Sequence, residues 1–440
     1  MHFGIANIVF LLILGGAVFY FTQSIRRIAG TIQLGQPLDI KDHKRERWGI
    51  MARVAMGQSK MVVKPVAGFF HLIIYVGFVL INIEVIEIIT DGIFGTHRVL
   101  KFLGPLYTFM IGFFEILAFA TLIAAIAFLI RRNLLKVQRF HKPEMKGWPY
   151  LDANLILVFE VVLMAAILLM NASDYKLQQL GAEHYPIAGS FPVSRYLLGF
   201  LPDQIPSLIL VERAAWWVHI VGILFFLNYV PFSKHFHIFL SFPNTWYSKL
   251  KPAGELDNLA SVTNEVKLML DPNADPFAAP PPDESAMPVK FGAEDITDLT
   301  WKNLMDAYSC TECGRCTAAC PANATGKKLS PRKIMMDVRD RADDLWNYQK
   351  ENGQDQQDGK KLLGDYITEE ELWACNTCNA CTEACPVLID PLQIIVDLRR
   401  HLVMEQSKVP GELATTFTNM ENNGAPWQFS PSDRLNWKDE

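Results

Sequence analysis

The chain's eight cysteines all fall in two short runs. Cys310-Thr-Glu-Cys313-Gly-Arg-Cys316-Thr-Ala-Ala-Cys320-Pro321 has the spacing C-x2-C-x2-C-x3-C-P, and Cys375-Asn-Thr-Cys378-Asn-Ala-Cys381-Thr-Glu-Ala-Cys385-Pro386 repeats it. Three thiolates at that spacing wrap three corners of an iron–sulfur cubane, while the fourth, followed by proline, turns away to ligate the other cluster. Cys310, Cys313, Cys316 and Cys385 are therefore expected at one [4Fe–4S] centre, and Cys375, Cys378, Cys381 and Cys320 at a second. Zinc needs four ligands and normally takes separated pairs. Disulfides are disfavoured on the cytoplasmic side, where the loop charges described below put this part of the chain.

The second group that could do chemistry is a set of histidines in or beside apolar stretches: His71, His219, His235 and His237. From His219 to His237 is 18 residues, five turns of a continuous helix, so the two would share a face about 27 Å apart, with His235 roughly 160° away. Pro231 between them could kink that helix. His71 lies about 10 Å inside Lys64, nearer in depth to His237 than to His219. Neutral imidazoles from two helices can hold a haem iron axially within apolar packing, and the depths pair His71 with His237. The other reading of these histidines is hydrogen bonding between helices, and His219 has no evident partner.

Both groups need elements to carry them. The chain has 440 residues, 50% hydrophobic and 20% charged, but the apolar runs gather in residues 1–240. Five stretches reach the roughly 20 apolar residues that cross a bilayer: about Phe3 to Phe21, Pro65 to Thr90, Pro105 to Ile130, Leu151 to Met170 and Pro206 to Pro231. That rules out a wholly soluble enzyme and a disordered chain, and the net charge of −5 gives no reason to expect nucleic acid. The first stretch has no basic residue ahead of it and no small-residue cleavage site, so it reads as a retained helix. Nine Lys/Arg lie between the first and second stretches and six between the third and fourth, against four in the two opposite loops. Cationic loops stay inside, which predicts an outer N-terminus and a cytoplasmic C-terminal half.

Acidic residues in the spans need a reason. Glu115 and Glu160 could carry protons to or from a quinone, or pair with arginine or backbone in the bundle. Glu84, Glu87, Glu212 and Arg213 read as solvated helix ends. Beyond Pro243, prolines between 271 and 288 predict an extended tether. Ser330-Pro331 and Asp390-Pro391 each pair a capping residue with proline at the first helical position, and Thr368 with Glu371 makes a capping box. About 55 residues separate the two cysteine runs, too many for paired hairpins, so the module is read as α-helical.

These residues carry a family resemblance. His219-Ile-Val-Gly through Val230-Pro-Phe-Ser-Lys-His-Phe-His237, and Phe69-Phe-His-Leu-Ile-Ile-Tyr-Val-Gly77, resemble the fifth and second helices of the gamma (cytochrome b) subunit of respiratory nitrate reductases. That resemblance implies one haem b on His71 and His237. A second, on His219, stays open because Ile81 stands where its partner would be. The cysteine module resembles the small iron–sulfur subunit of heterodisulfide reductases and the related domains of anaerobic glycerol-3-phosphate and succinate dehydrogenases. The combination resembles membrane iron–sulfur oxidoreductases of the heterodisulfide-reductase type, in which the tail from Asn423 leads into a cysteine-rich CCG domain; here a separate subunit is expected to supply it.

The expected fold is all-α: a transmembrane cytochrome b-like bundle (1–250), a Pro-rich linker (251–294) and a dicluster α-helical ferredoxin domain (295–440). The expected function is an oxidoreductase subunit in the inner membrane. It would relay electrons between the quinone pool, with menaquinone as candidate, a haem b, two [4Fe–4S] clusters and a cytoplasmic CCG-domain or flavin-containing partner. A haem-free membrane-anchored ferredoxin or redox sensor is the alternative. No Gly-rich fingerprint suggests that the chain itself binds a dinucleotide.

Overall fold

In lipid every backbone N–H and C=O must be satisfied within the chain, so long apolar stretches become helices. The computed structural model describes residues 4–252, 254–272, 290–353 and 356–439. Its membrane part is built from α1 (Ile5–Ile32), the short α2 (Lys44–Met51), α3 (Pro65–Phe94), α4 (Pro105–Asn133), α5 (Trp148–Gln179) and α6 (Ile205–Tyr229), followed by α7 (His237–Trp246). Among the described residues, five helices are long and apolar enough to cross a membrane. Three of the expected spans begin at a proline, and Pro65 and Pro105 indeed open α3 and α4, where the missing N–H costs nothing. The helices overrun the apolar stretches: α5 exceeds its expected span at both ends. It is also the hub, packing along α4 and α6, while α3 packs on α4 and α1 lies across α3 and α6.

α8 (Ala260–Leu270) lies inside the stretch read as linker, so part of that connection is helical; most of its prolines, within 273–289, lie outside the described residues. The cysteine module then runs α9 (Trp301–Ser309), α10 (Arg315–Ala319), α11 (Pro321–Ala324), α12 (Pro331–Asn352), α13 (Glu369–Trp373), α14 (Ala380–Ala384) and α15 (Pro391–Met404), with α16 (Gly411–Asn423) beyond it. No strand occurs among the described residues, which is the all-α class expected. The caps form as their sequences require: Ser330 Oγ accepts from Lys333 N–H, Asp390 from Leu392 and Gln393 N–H, and Thr368 and Glu371 cap reciprocally. α10 packs on α14, bringing the two cysteine runs together. One core, including Leu299, Ile334, Leu345, Leu372 and Leu398, unites the module. Arg341, fully buried, ties Asp295 to Asp358 across it.

The module sits on the ends of the bundle that carry the cationic loops. Arg27 of α1 pairs with Asp343 of α12 at 2.7 Å. Gln36 and Thr300 form a β-bridge, with Gln36 N–H donating to Leu299 O and Trp301 N–H to Gln36 O. A Cβ on Gly35 would lie 2.6 Å from Trp301 N and 2.7 Å from Thr300 C. Neither backbone atom can swing aside. Gly35→Ala is therefore expected to weaken this docking by about 1–3 kcal/mol, read as a lower thermal midpoint in detergent with the module's own iron content unchanged.

Candidate functional site

Each cysteine run folds around its own sulfur. In the first, Glu312 (φ +50°) and Gly314 (φ +70°) take left-handed conformations; in the second, Thr377 (φ +53°) and Asn379 (φ +59°) do so at the same offsets. The turn aims Glu312 N–H at Cys310 Sγ (3.4 Å) and Thr377 N–H at Cys375 Sγ (3.4 Å). Ile389 N–H reaches Cys385 Sγ at 3.3 Å. Such donors stabilise charge on sulfur.

Across the α10–α14 packing, the fourth cysteine of each run comes near cysteines of the other. Cys385 lies within electrostatic range of Cys313 and Cys310, and Cys375 within range of Cys320 and Cys378. Cys310, Cys313, Cys316 and Cys385 border one small cavity, which Cys381 also reaches. Burial pushes the thiols of Cys310, Cys381 and Cys385 up to about 12, so they keep their protons unless a bound cation replaces them. No three His, Cys, Asp or Glu side chains among the described residues converge closely enough for a single ion. Sulfurs ringing a cavity fit a four-iron cage, which spreads its ligands over its corners.

The membrane side of this centre is closed by the bundle's loops. Arg332, fully buried, donates to Arg139 O and to Glu144 Oε1, each at 2.7 Å. Arg315, between Cys313 and Cys316, donates to Lys60 O at 2.8 Å and lies within electrostatic range of His71. Cys378 of the second run is exposed, whereas Cys310 and Cys385 are buried.

The histidines differ from their expected arrangement in one respect. α6 ends at Tyr229, two short 3-10 turns follow at Val230–Phe232 and Lys234–Phe236, and α7 starts afresh at His237. Pro231 lies inside the first of those turns, so the five-turn count from His219 to His237 does not apply. His237 still lies within electrostatic range of His71, and the break also brings in His235, whose ring is 5.4 Å from that of His237. His237 Nδ1 lies 3.1 Å from Lys234 O. A carbonyl only accepts, so Nδ1 carries the proton and Nε2 keeps its lone pair, the form that binds metal. His71 Nδ1 is buried without a partner. His219 repeats the pattern: Nδ1 donates to Leu163 O at 3.0 Å, while Nε2 is buried and unpartnered beside a cavity that Gly77, Ile81, Thr121 and Glu160 also line. This donor set fits a haem held through His71 and His237 and offers a third nitrogen at His219, with Ile81 facing the same space.

The acidic residues read as solvated helix ends are not solvated. Glu84 and Glu87 are each 3% exposed and Glu212 is 1% exposed; only Arg213 is partly open. Leu100 N–H donates to Glu87, Tyr185 Oη donates to Glu212, and α1 residues Asn7 and Phe10 line the cavity with Glu84, tertiary contacts that hydropathy does not report. Arg98 bridges Asp174, Asn171 and Tyr107, and Glu87 accepts from Tyr107 Oη at 2.9 Å. Glu84 Oε1 has no partner among the described residues and lines a cavity walled by Phe10, Trp216 and Trp217. Glu115 pairs with backbone, accepting from Val193 and Ser194 N–H.

Comparison with known proteins bears on the cysteine runs first: residues 309–389, which include all eight cysteines, match the family model of the 4Fe-4S dicluster domain. This segment is a 4Fe-4S dicluster domain. The whole chain is similar to a probable iron–sulfur-binding oxidoreductase, FadF, of Bacillus subtilis, 31% identical over 100% of this chain and 61% of that protein. It is 28% identical to an EtfAB:quinone oxidoreductase of Syntrophomonas wolfei, over 88% of this chain and 53% of that protein. A probable membrane-anchored ferredoxin of Chromohalobacter salexigens is 35% identical over 33% of this chain and 24% of its own length. The chain thus spans little more than half the length of the first two relatives. Subunits C and D of heterodisulfide reductases match over shorter stretches, 27% and 34% of this chain. No solved structure matches significantly. These homologues are iron–sulfur oxidoreductases or their subunits, and the dicluster domain joined to five apolar helices is the architecture that the resemblance implied.

Proposed function

We propose that the protein carries electrons between a membrane quinone, menaquinone as candidate, and a cytoplasmic partner with a CCG domain or a flavin, through a haem b and two [4Fe–4S] clusters. Haem iron and [4Fe–4S] centres each exchange one electron at a time, which matches the single-file order of their ligands here. His71 and His237 hold the haem, with His219 as the candidate ligand of a second. Cys310, Cys313, Cys316 and Cys385 hold the cluster nearer the bundle, and Cys375, Cys378, Cys381 and Cys320 the one whose Cys378 faces outward to the partner. The membrane part is 1–250 and the cluster part 295–440, joined through 251–294; the N-terminus is outside and the clusters are cytoplasmic.

The observation that supports this reading is the seating of the first cysteine run on the membrane bundle, where Arg315 donates to Lys60 O at 2.8 Å and lies within electrostatic range of His71. A quinone is favoured by the name of the Syntrophomonas relative and by the far cavity, where unpartnered Glu84 Oε1 faces aromatic walls and can accept the proton of a hydroquinone O–H. In vesicles, an added menaquinol analogue is expected to reduce the haem and then both clusters. Clusters that stay oxidised under quinol yet bleach with dithionite would contradict the relay. The similarity to a membrane-anchored ferredoxin favours a second, haem-free reading. A reduced-minus-oxidised spectrum without a b-type band would select it.

A further inference from the structure

Lys234 stands between the histidines and the first cysteine run and bonds to both. Its carbonyl accepts from His237 Nδ1 at 3.1 Å. Its ammonium is bonded to the Glu312 carboxylate and donates to Pro149 O at 2.5 Å, with Asp152 at 3.8 Å. Its own N–H donates to Asp152 Oδ2 at 3.1 Å. Glu312, two residues past Cys310, sends its N–H to Cys310 Sγ at 3.4 Å and takes Arg339 on its other oxygen at 2.8 Å. Contact is unbroken from Cys310 sulfur through Glu312 and Lys234 to the His237 ring.

A lysine side chain only 9% exposed is costly to bury unless its charge is matched. A bracket between bundle and module would not need that cost, since Arg27–Asp343 supplies one at a partly exposed site on the same cavity without bonding to a histidine or a cysteine run. Lys234 differs by touching the two ligand sets at once. We infer that Lys234 is a positioning residue that couples the His237 imidazole to the first cysteine run. Its carbonyl fixes which ring nitrogen is free, and its ammonium, with Glu312, sets the charge beside Cys310. This rests on the proposed function and adds to it the link through which the two centres sense each other.

A cation near a cluster favours the reduced, more negative state and a carboxylate opposes it. The full-length protein in detergent is compared with Lys234→Met, Lys234→Arg and Glu312→Gln by EPR-monitored redox titration of the two clusters and optical titration of the haem. Lys234→Met is expected to move the Cys310-run cluster to lower potential, Glu312→Gln to move it higher, and Lys234→Arg to stay near wild type. The Cys375-run cluster stays unchanged in all three. Haem-to-cluster transfer after flash reduction slows at least tenfold in Lys234→Met. Should that variant fail to load iron, Glu312→Gln and Lys234→Arg carry the test. Shifts of the same sign in the Met and Gln variants, equal shifts in both clusters, or none would overturn the coupling. A wild type with clusters but no b-type band would instead sink the proposed function, and the histidine end of this inference with it.

Discussion

Cys385→Ala leaves one [4Fe–4S] cluster intact, and the one it loses belongs to the cysteine run that begins 75 residues earlier, at Cys310. Non-haem iron is expected to fall from about eight atoms per chain to about four, or to about seven where a three-iron remnant stays bound. The crossing makes the experiment decisive. Cys385 lies by Cys313 and Cys310, and Cys375 by Cys320. The EPR spectrum of Cys385→Ala should therefore match that of Cys310→Ala, and Cys320→Ala should match Cys375→Ala. A match between Cys385→Ala and Cys378→Ala would mean that each run holds its own cluster. If the two centres act in series, as proposed, electron delivery to an artificial acceptor is expected to fall in both pairs.

Replacing His71 and His237 together by leucine is expected to abolish the b-type band and quinol-driven cluster reduction while dithionite still reduces both clusters. Losing an outer partner of a metal-ligating histidine typically costs 10–100-fold, so losing both axial nitrogens should exceed that. His235→Leu separates the two neighbours. Of the two, His237 is the one with Nδ1 bonded to a backbone carbonyl among the described residues, leaving Nε2 free, so the His235 variant should keep its band with at most a shifted maximum. An unchanged spectrum in the double variant would remove these histidines from any role with iron.

What could be seen in the sequence was what acts locally. The cysteine spacing, the Ser330 and Asp390 caps with their prolines, and the Thr368–Glu371 box each depend on a few neighbouring residues, and each formed as written. The five spans followed from hydropathy alone. Pro231 marked the break after α6, yet spacing along an ideal helix could not report that the new start at His237 would bring His235 beside it. The burial of Glu84, Glu87 and Glu212 comes with contacts from other parts of the chain, so helix-end chemistry misjudged them. Nothing local in the sequence singles out Lys234 and Glu312; the docking of module on bundle joins them.

That docking bears on kinetics. Gln36 with Thr300, Arg27 with Asp343, and Arg332 with Glu144 fasten the iron–sulfur half at three separate points. A carrier swinging on a tether has to search for its target, so its turnover slows in viscous solvent and varies with tether length. A fastened one faces a constant tunnelling gap, so solvent friction and added residues between 273 and 289 should leave its internal transfer rate untouched.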